Sequence, residues 1–157
     1  MKIAPLLLLF AAAPVFAQES GIVLKGPSGP SVTLSSSEIA AMPHVAVTLA
    51  IHGHSATYSG VPLDRLMAKV NAPLGEALRG AALADVVEVR ACDGYRVALT
   101  LSEIDPAMRE EAIILADSAD GASLKAPDGP FRLIVAGDKR PARSARCVIE
   151  IALTSAP

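Results

Sequence analysis

Tryptophan is absent from these 157 residues, aromatic residues make up 3% and charged residues 19%. Few rings and a formal net charge of −2 argue against nucleic-acid binding, which needs a basic surface and stacking platforms. The weak charge also argues against a disordered chain, because 52% of the residues are hydrophobic. Long apolar runs are missing after the first 17 residues, so no later segment reaches the roughly 20 residues of a membrane-spanning helix. Cysteine occurs twice and histidine three times, which leaves little material for a metal cluster.

What the chain does have begins with its N-terminus. Lys2 supplies a positive start, residues 3–16 are apolar around Pro5 and Pro14, and Val15-Phe16-Ala17 offers small residues at the −3 and −1 positions. That is the pattern of a secretory signal peptide cleaved after Ala17. The expected product is residues 18–157, one domain, exported to the periplasm or secreted. Without Lys2 it carries 13 basic against 16 acidic residues, net −3.

Export permits a disulfide. Cys92 and Cys147 are open to three readings: two buried thiols acting as small hydrophobes, one bridge between two strands, or a ligand or nucleophile role for Cys92.

The pattern after the signal is α+β. Strands are expected over 22–25, 31–34, 45–51, 56–58, 86–91, 95–99, 112–116, 131–136 and 147–153, largely from period-2 alternation. Ser35-x-x-Glu38 and Thr100-x-x-Glu103 have capping-box spacing and open short helices. Leu63, Leu66, Met67 and Val70 fall at i, i+3, i+4 and i+7, which predicts an amphipathic helix from Gly60-Val61-Pro62 to Pro73. Asp93-Gly94 reads as a hairpin turn. Ser37-Glu38-Ile39 and Ser102-Glu103-Ile104 echo each other over too short a span to argue a repeat.

Residues 137–146, Gly-Asp-Lys-Arg-Pro-Ala-Arg-Ser-Ala-Arg, gather four cations in a chain that is otherwise net negative. Arginine forks suit phosphate and carboxylate, so Lys139, Arg140 and Arg143 are candidate anion contacts. A solvated loop paired with nearby Asp and Glu is the plainer alternative. His52-x-His54 could hold a metal, but no third ligand follows at a useful spacing, and no metal site is assigned. No GxGxxG, P-loop, Ser-His-Asp or Cys-His arrangement is present. Glu103 and Asp105 are explained by a helix cap and by a turn before Pro106, so no catalytic residue is assigned.

Several weak motifs then fall into one order. They are His52-Gly53, Tyr58-x-Gly60-Val61-Pro62-Leu63-x-x-Leu66, Asp93-Gly94-Tyr95, Glu103-x-Asp105, Leu115-Ala116-Asp117, Asp120-Gly121-x-x-Leu124, Gly129-Pro130-x-Arg132-Leu133 and Gly137-Asp138-Lys139-Arg140-x-Ala142-Arg143. The set, over roughly 45–153, resembles small exported bacterial members of the oxidoreductase molybdopterin-binding domain family. The resemblance implies the sulfite-oxidase fold, a mostly-β α+β domain with short helices around a cleft. It implies molybdopterin as the candidate cofactor, with Lys139, Arg140, Arg143, His52, Asp93 and Tyr95 as candidate contacts. In the full enzymes a cysteine thiolate ahead of the Gly-Val-Pro-Leu segment ligates molybdenum. The matching stretch here has no cysteine, and Thr48 stands nearest that position. A hydroxyl is a poor substitute for a soft thiolate.

The expectation is therefore an exported, non-catalytic binding module. It would take a small anionic ligand, a pterin among them, or an envelope protein partner through the cleft and the 137–146 loop. The alternatives are a molybdenum-cofactor-dependent oxidoreductase or a subunit of one, and a purely structural envelope protein.

Overall fold

The computed structural model describes residues 20–29, 31–51 and 53–155. The expected signal peptide and its cleavage site lie outside the described residues. Among the described residues no helix is long and apolar enough to cross a membrane.

Among the described residues ten strands and three short α-helices follow in the order β1 (Gly21–Lys25), β2 (Val32–Ser35), α1 (Ser36–Ala40), β3 (Val45–Ile51), β4 (His54–Pro62), α2 (Leu63–Ala68), β5 (Val86–Ala91), β6 (Arg96–Thr100), α3 (Leu101–Ile104), β7 (Ile113–Ala119), β8 (Ala122–Ser123), β9 (Arg132–Val135) and β10 (Val148–Thr154), with single 3-10 turns at Gly75–Ala77, Gly80–Ala84 and Pro141–Arg143. The α+β reading holds, with strands dominant. One sheet has the order β2-β1-β10-β5-β6. The other has the order β3-β4-β7-β8, with β9 on β7. Only β1 and β10 pair in parallel among the described strands, bringing the last strand back against the first.

Both expected capping boxes form, and each stops an edge strand of the first sheet. The Glu38 carboxylate accepts from the Ser35 amide at 2.8 Å, and the Glu103 carboxylate from the Thr100 amide at 2.9 Å. Each bond satisfies an amide that a short helix would otherwise leave orphaned. The short echo in the sequence is thus one device used at both edges. Across the outer face of this sheet, Glu150 pairs with Lys25 at 2.7 Å and with Arg90 at 3.0 Å, linking three neighbouring strands.

The start of α2 differs from expectation. Gly60, Val61 and Pro62 belong to β4, where they pair with Ala116, Leu115 and Ile114, and Pro62 is the cap residue rather than the first turn. Strand pairing overrides the proline signal because Val61 is wholly buried against the core. The expected apolar stripe forms: Leu63, Leu66 and Met67 are fully buried and Val70 nearly so. The helix itself ends at Ala68, short of Pro73.

The main core lies between the sheets. Ile22, Val89 and Ile151 of the first sheet meet Val61, Leu115 and Leu133 of the second. The opposite face of the second sheet has a smaller core of Leu49, Tyr58, Ile114, Ala116 and Ile134. With both faces covered, β7 opens on an unbroken apolar run, Ile113-Ile114-Leu115-Ala116, instead of alternating.

The register between β4 and β7 shifts between Ser59 and Gly60, and the Gly60 backbone lies directly on Leu115 and Ala116. A Cβ there would overlap the Leu115 carbonyl and the Ala116 backbone, which cannot swing aside as a side chain could. Gly60→Ala should therefore lower the unfolding free energy in urea by about 2 kcal/mol or more, the range of overpacked sites. A change indistinguishable from zero would contradict this packing.

Candidate functional site

The second strand pair of the first sheet carries two of the candidate residues. The β5–β6 turn holds Cys92, Asp93 and Gly94, with Gly94 at φ +88°, a conformation that favours glycine. Asp93 caps the turn by accepting from the Tyr95 amide at 2.9 Å. The Tyr95 hydroxyl donates to the Ala142 carbonyl at 2.8 Å, inside the basic loop. Cys92 is bonded to Cys147 just beyond that loop, and the Cys92 amide donates to the Cys147 carbonyl at 2.8 Å. The bridge is thus the form the two cysteines take, and the readings as free thiols or as a Cys92 ligand fall away. Turn and loop form one corner, with a groove of about 200 Å³ lined by Asp93, Tyr95, Ser144, Ala145 and Arg146.

Within the loop the cations do different work. Arg143 forks onto Asp138, with Nε and Nη2 donating at 2.8 and 2.7 Å, and its Nη1 donates to Glu103 at 2.8 Å. Two carboxylates compensate its charge, so Arg143 holds the loop's shape and is not an open anion contact. The Arg143 guanidinium beside it pulls the Asp138 carboxyl below the usual range. Burial raises the Glu103 carboxyl, but Arg143 and the Thr100 amide outweigh it and the net shift is downward. Lys139 and Arg140 are exposed, with no ion-pair partner among the described residues. Arg146 is also exposed and lies 2.9 Å from Asp128. Arg132, from the Gly129-Pro130-x-Arg132 motif, is buried under the Tyr58 ring and donates to Tyr58 and Asp128, each at 3.1 Å. It braces the core and is not available to a ligand.

Of the six candidate residues, Asp93 and Tyr95 line this groove, while Lys139, Arg140 and Arg143 lie on the loop that Tyr95 reaches at Ala142 and are not part of its lining. His52 lies outside the described residues. Sequence reasoning did not single out Arg146 as a lining residue, nor Glu103 as the partner of Arg143, 40 positions away.

Thr48 lies elsewhere, exposed on β3 beside a groove of about 400 Å³ that Val45, Val47, Glu110, Glu111 and Ala112 also line. Its hydroxyl is 3.4 Å from that of Thr57. These residues do not fit a molybdenum cofactor. Both cysteines are consumed in the bridge, so no thiolate is available as a soft donor. Two carboxylates flank the position, where an anionic pterin would be repelled.

Of the other histidines, His54 is exposed. His44 has both ring nitrogens against acceptors: Nδ1 is 2.7 Å from the Met42 carbonyl and Nε2 is 2.9 Å from the Asp117 carboxylate. Only the imidazolium can donate to both. Burial lowers its pKa, but Asp117 and Met42 outweigh burial and the net shift is upward from 6.5.

No family model matches this chain, and no curated protein matches it. Among solved structures it is similar to the sulfane dehydrogenase SoxCD from Paracoccus pantotrophus, with a TM-score of 0.66 and 16% identity. The match covers 92% of this chain and 40% of that one, so this chain spans about two fifths of its neighbour's length.

Two predictions follow from this geometry. The bridge closes a separation of 55 residues, which in the chain-entropy account is worth about 4 kcal/mol. Reduction, or Cys92→Ser, should lower the urea midpoint accordingly, and intact mass should show no alkylated thiol in the oxidised protein. His44 contributes stability that is complete below 6.5 and is lost as pH rises through its raised folded-state value. Unfolding free energy should fall across that window, and His44→Gln should flatten the fall. At this identity the likeness to the solved structure concerns the fold alone, and in that sense the chain is an α+β domain of the kind found in the SoxCD neighbour.

Proposed function

We propose that this chain is an exported, non-catalytic version of the sulfite-oxidase-type molybdopterin-binding fold that binds a small anionic ligand at the corner between the β5–β6 turn and the 137–146 loop. One observation carries the reading: Lys139 and Arg140 are exposed and have no ion-pair partner among the described residues, on a loop that is itself held in place. Arg143 to Asp138 and Glu103, Tyr95 to Ala142, and the Val135 amide to the Ser144 hydroxyl fix it at separate points. A plain solvated loop has no need of such bracing. A fixed loop loses less conformational freedom when a ligand binds.

The roles divide by charge state. Lys139 and Arg140 supply the open positive charge, Arg140 able to fork onto phosphate or carboxylate. Tyr95 and Arg146 line the adjoining groove, where the flat body of a ligand such as a pterin would lie against the ring. Asp93 and Arg143 position backbone and neither meets the ligand. The fold resemblance supports a pterin as the ligand class. The missing thiolate and the carboxylates near Thr48 speak against oxo-transfer chemistry in this chain, and the oxidoreductase alternative has no donor set to rest on.

The test is thermal unfolding in a titration with inorganic phosphate and with a phosphorylated pterin. Bound ligand stabilises as the logarithm of its concentration over Kd. The melting temperature should rise with ligand and cease to rise in the Lys139→Ala/Arg140→Ala variant. Equal stabilisation of that variant would remove the loop from the site.

A further inference from the structure

A cavity of about 320 Å³ is lined from α1, β7, β8 and the segment that leads into β9. It shares no lining residue with the groove at the basic corner. Ser36, Asp117, Ser118 and Ser123 give it polar groups, and Leu124 and Phe131 give it apolar ones. The volume falls in the range of small-ligand pockets, roughly 300–1,000 Å³. Local pairing builds the polar part: Ser118 stands opposite Ser123 across β7 and β8, and the Leu124 amide donates to the Asp117 carbonyl at 2.8 Å.

The hydrogen bonds around this cavity run in one direction. The Ser36 hydroxyl donates to the Ser20 carbonyl at 2.5 Å, and the Ser118 hydroxyl donates to the Ser59 carbonyl at 3.5 Å. A serine has one hydrogen to give, so each of these hydroxyls serves the cavity as an acceptor. Asp117 accepts at Oδ2 from the His44 Nε2 at 2.9 Å, and its Oδ1 has no hydrogen-bond partner among the described residues. Asp117 lines the cavity and His44 does not, so the ion pair turns its negative end inward. A cation that enters is nearer the carboxylate than the imidazolium, and because Coulomb energy falls with distance the attraction wins. The Ser123 hydroxyl is exposed and can take either role.

We infer that this cavity binds a small primary amine with an apolar body, in its ammonium form. An ammonium carries three donors and no acceptor, the complement of a wall that offers acceptors. Its bond to Asp117 is charge-assisted, roughly twice as strong as a neutral one. An alcohol of the same shape brings no charge and adds lone pairs that the wall does not match. A carboxylate would meet Asp117 as a like charge. The apolar body of the amine leaves water to lie against Leu124 and Phe131. This site selects a cation where the basic corner selects an anion, and neither reading rests on the other.

The experiment titrates the oxidised protein with benzylamine, benzyl alcohol and benzoate, three probes of one shape, and follows the amide NMR shifts. It is run at about pH 7, where a primary amine is protonated. Benzylamine should move the amides of Asp117, Ser118 and Leu124 and bind there at least tenfold more tightly than benzyl alcohol. Benzoate should leave those amides in place. Asp117→Asn keeps the side-chain shape, removes the charge and should raise Kd for benzylamine at least tenfold. That variant also loses the ion pair with His44, so its folding is checked by thermal unfolding. The comparison of the three probes on the unaltered chain decides the matter whether or not the variant folds. Four results would overturn the inference: no benzylamine shifts at these amides, equal affinity for amine and alcohol, benzoate shifts at the same amides, or undiminished benzylamine binding by folded Asp117→Asn.

Discussion

Residues 144–148 hold the two sheets and the basic loop together. The Leu133 amide donates to the Ala145 carbonyl, the Val148 amide to the Phe131 carbonyl and the Cys147 amide to the Asp128 carbonyl. Those partners belong to β9 or the segment leading into it. In the other direction Cys147 is bridged to Cys92 and Val148 begins β10 in the first sheet. Cys147 takes φ +48° to do this, a left-handed conformation that costs a non-glycine residue roughly 1–2 kcal/mol. Hydrogen bonds on both sides and a covalent bond offset that strain. The position of Lys139 and Arg140 depends on this junction, because the loop that carries them enters from β9 and leaves into it.

The loop's charge is divided for the same reason. A run of four cations would repel itself if all stayed open. Arg143 is neutralised by Asp138 and Glu103, and Arg146 leans on Asp128. Among the described residues, the cations left without an ion-pair partner in this loop are Lys139 and Arg140. Thr48 lies instead on β3 beside a groove that Glu110 and Glu111 also line.

Much of the fold was legible in the chain. The period-2 run at 45–51 gave β3 with its observed ends, and both capping boxes formed where the Ser/Thr and Glu spacing placed them. The start of α2 was misread because proline suits a helix's first turn and a strand's last residue alike, and only pairing with β7 decides between them. The site was legible by composition and not by partner. The charge run marked the loop, and the turn signal marked Asp93 and Tyr95. Nothing local showed that Arg143 would meet Glu103 or that Cys92 would meet Cys147, since both contacts are made by the packing of distant strands.

The central claim is that this chain uses the fold without oxo-transfer chemistry and keeps an anion site in place of it. It is tested most directly by molybdenum analysis, with pterin fluorescence after acid oxidation, on protein exported by a host that makes the cofactor. The account predicts molybdenum far below one equivalent, with any pterin present without it. Near-stoichiometric molybdenum and pterin together would contradict it and would require an unusual ligand close to Thr48.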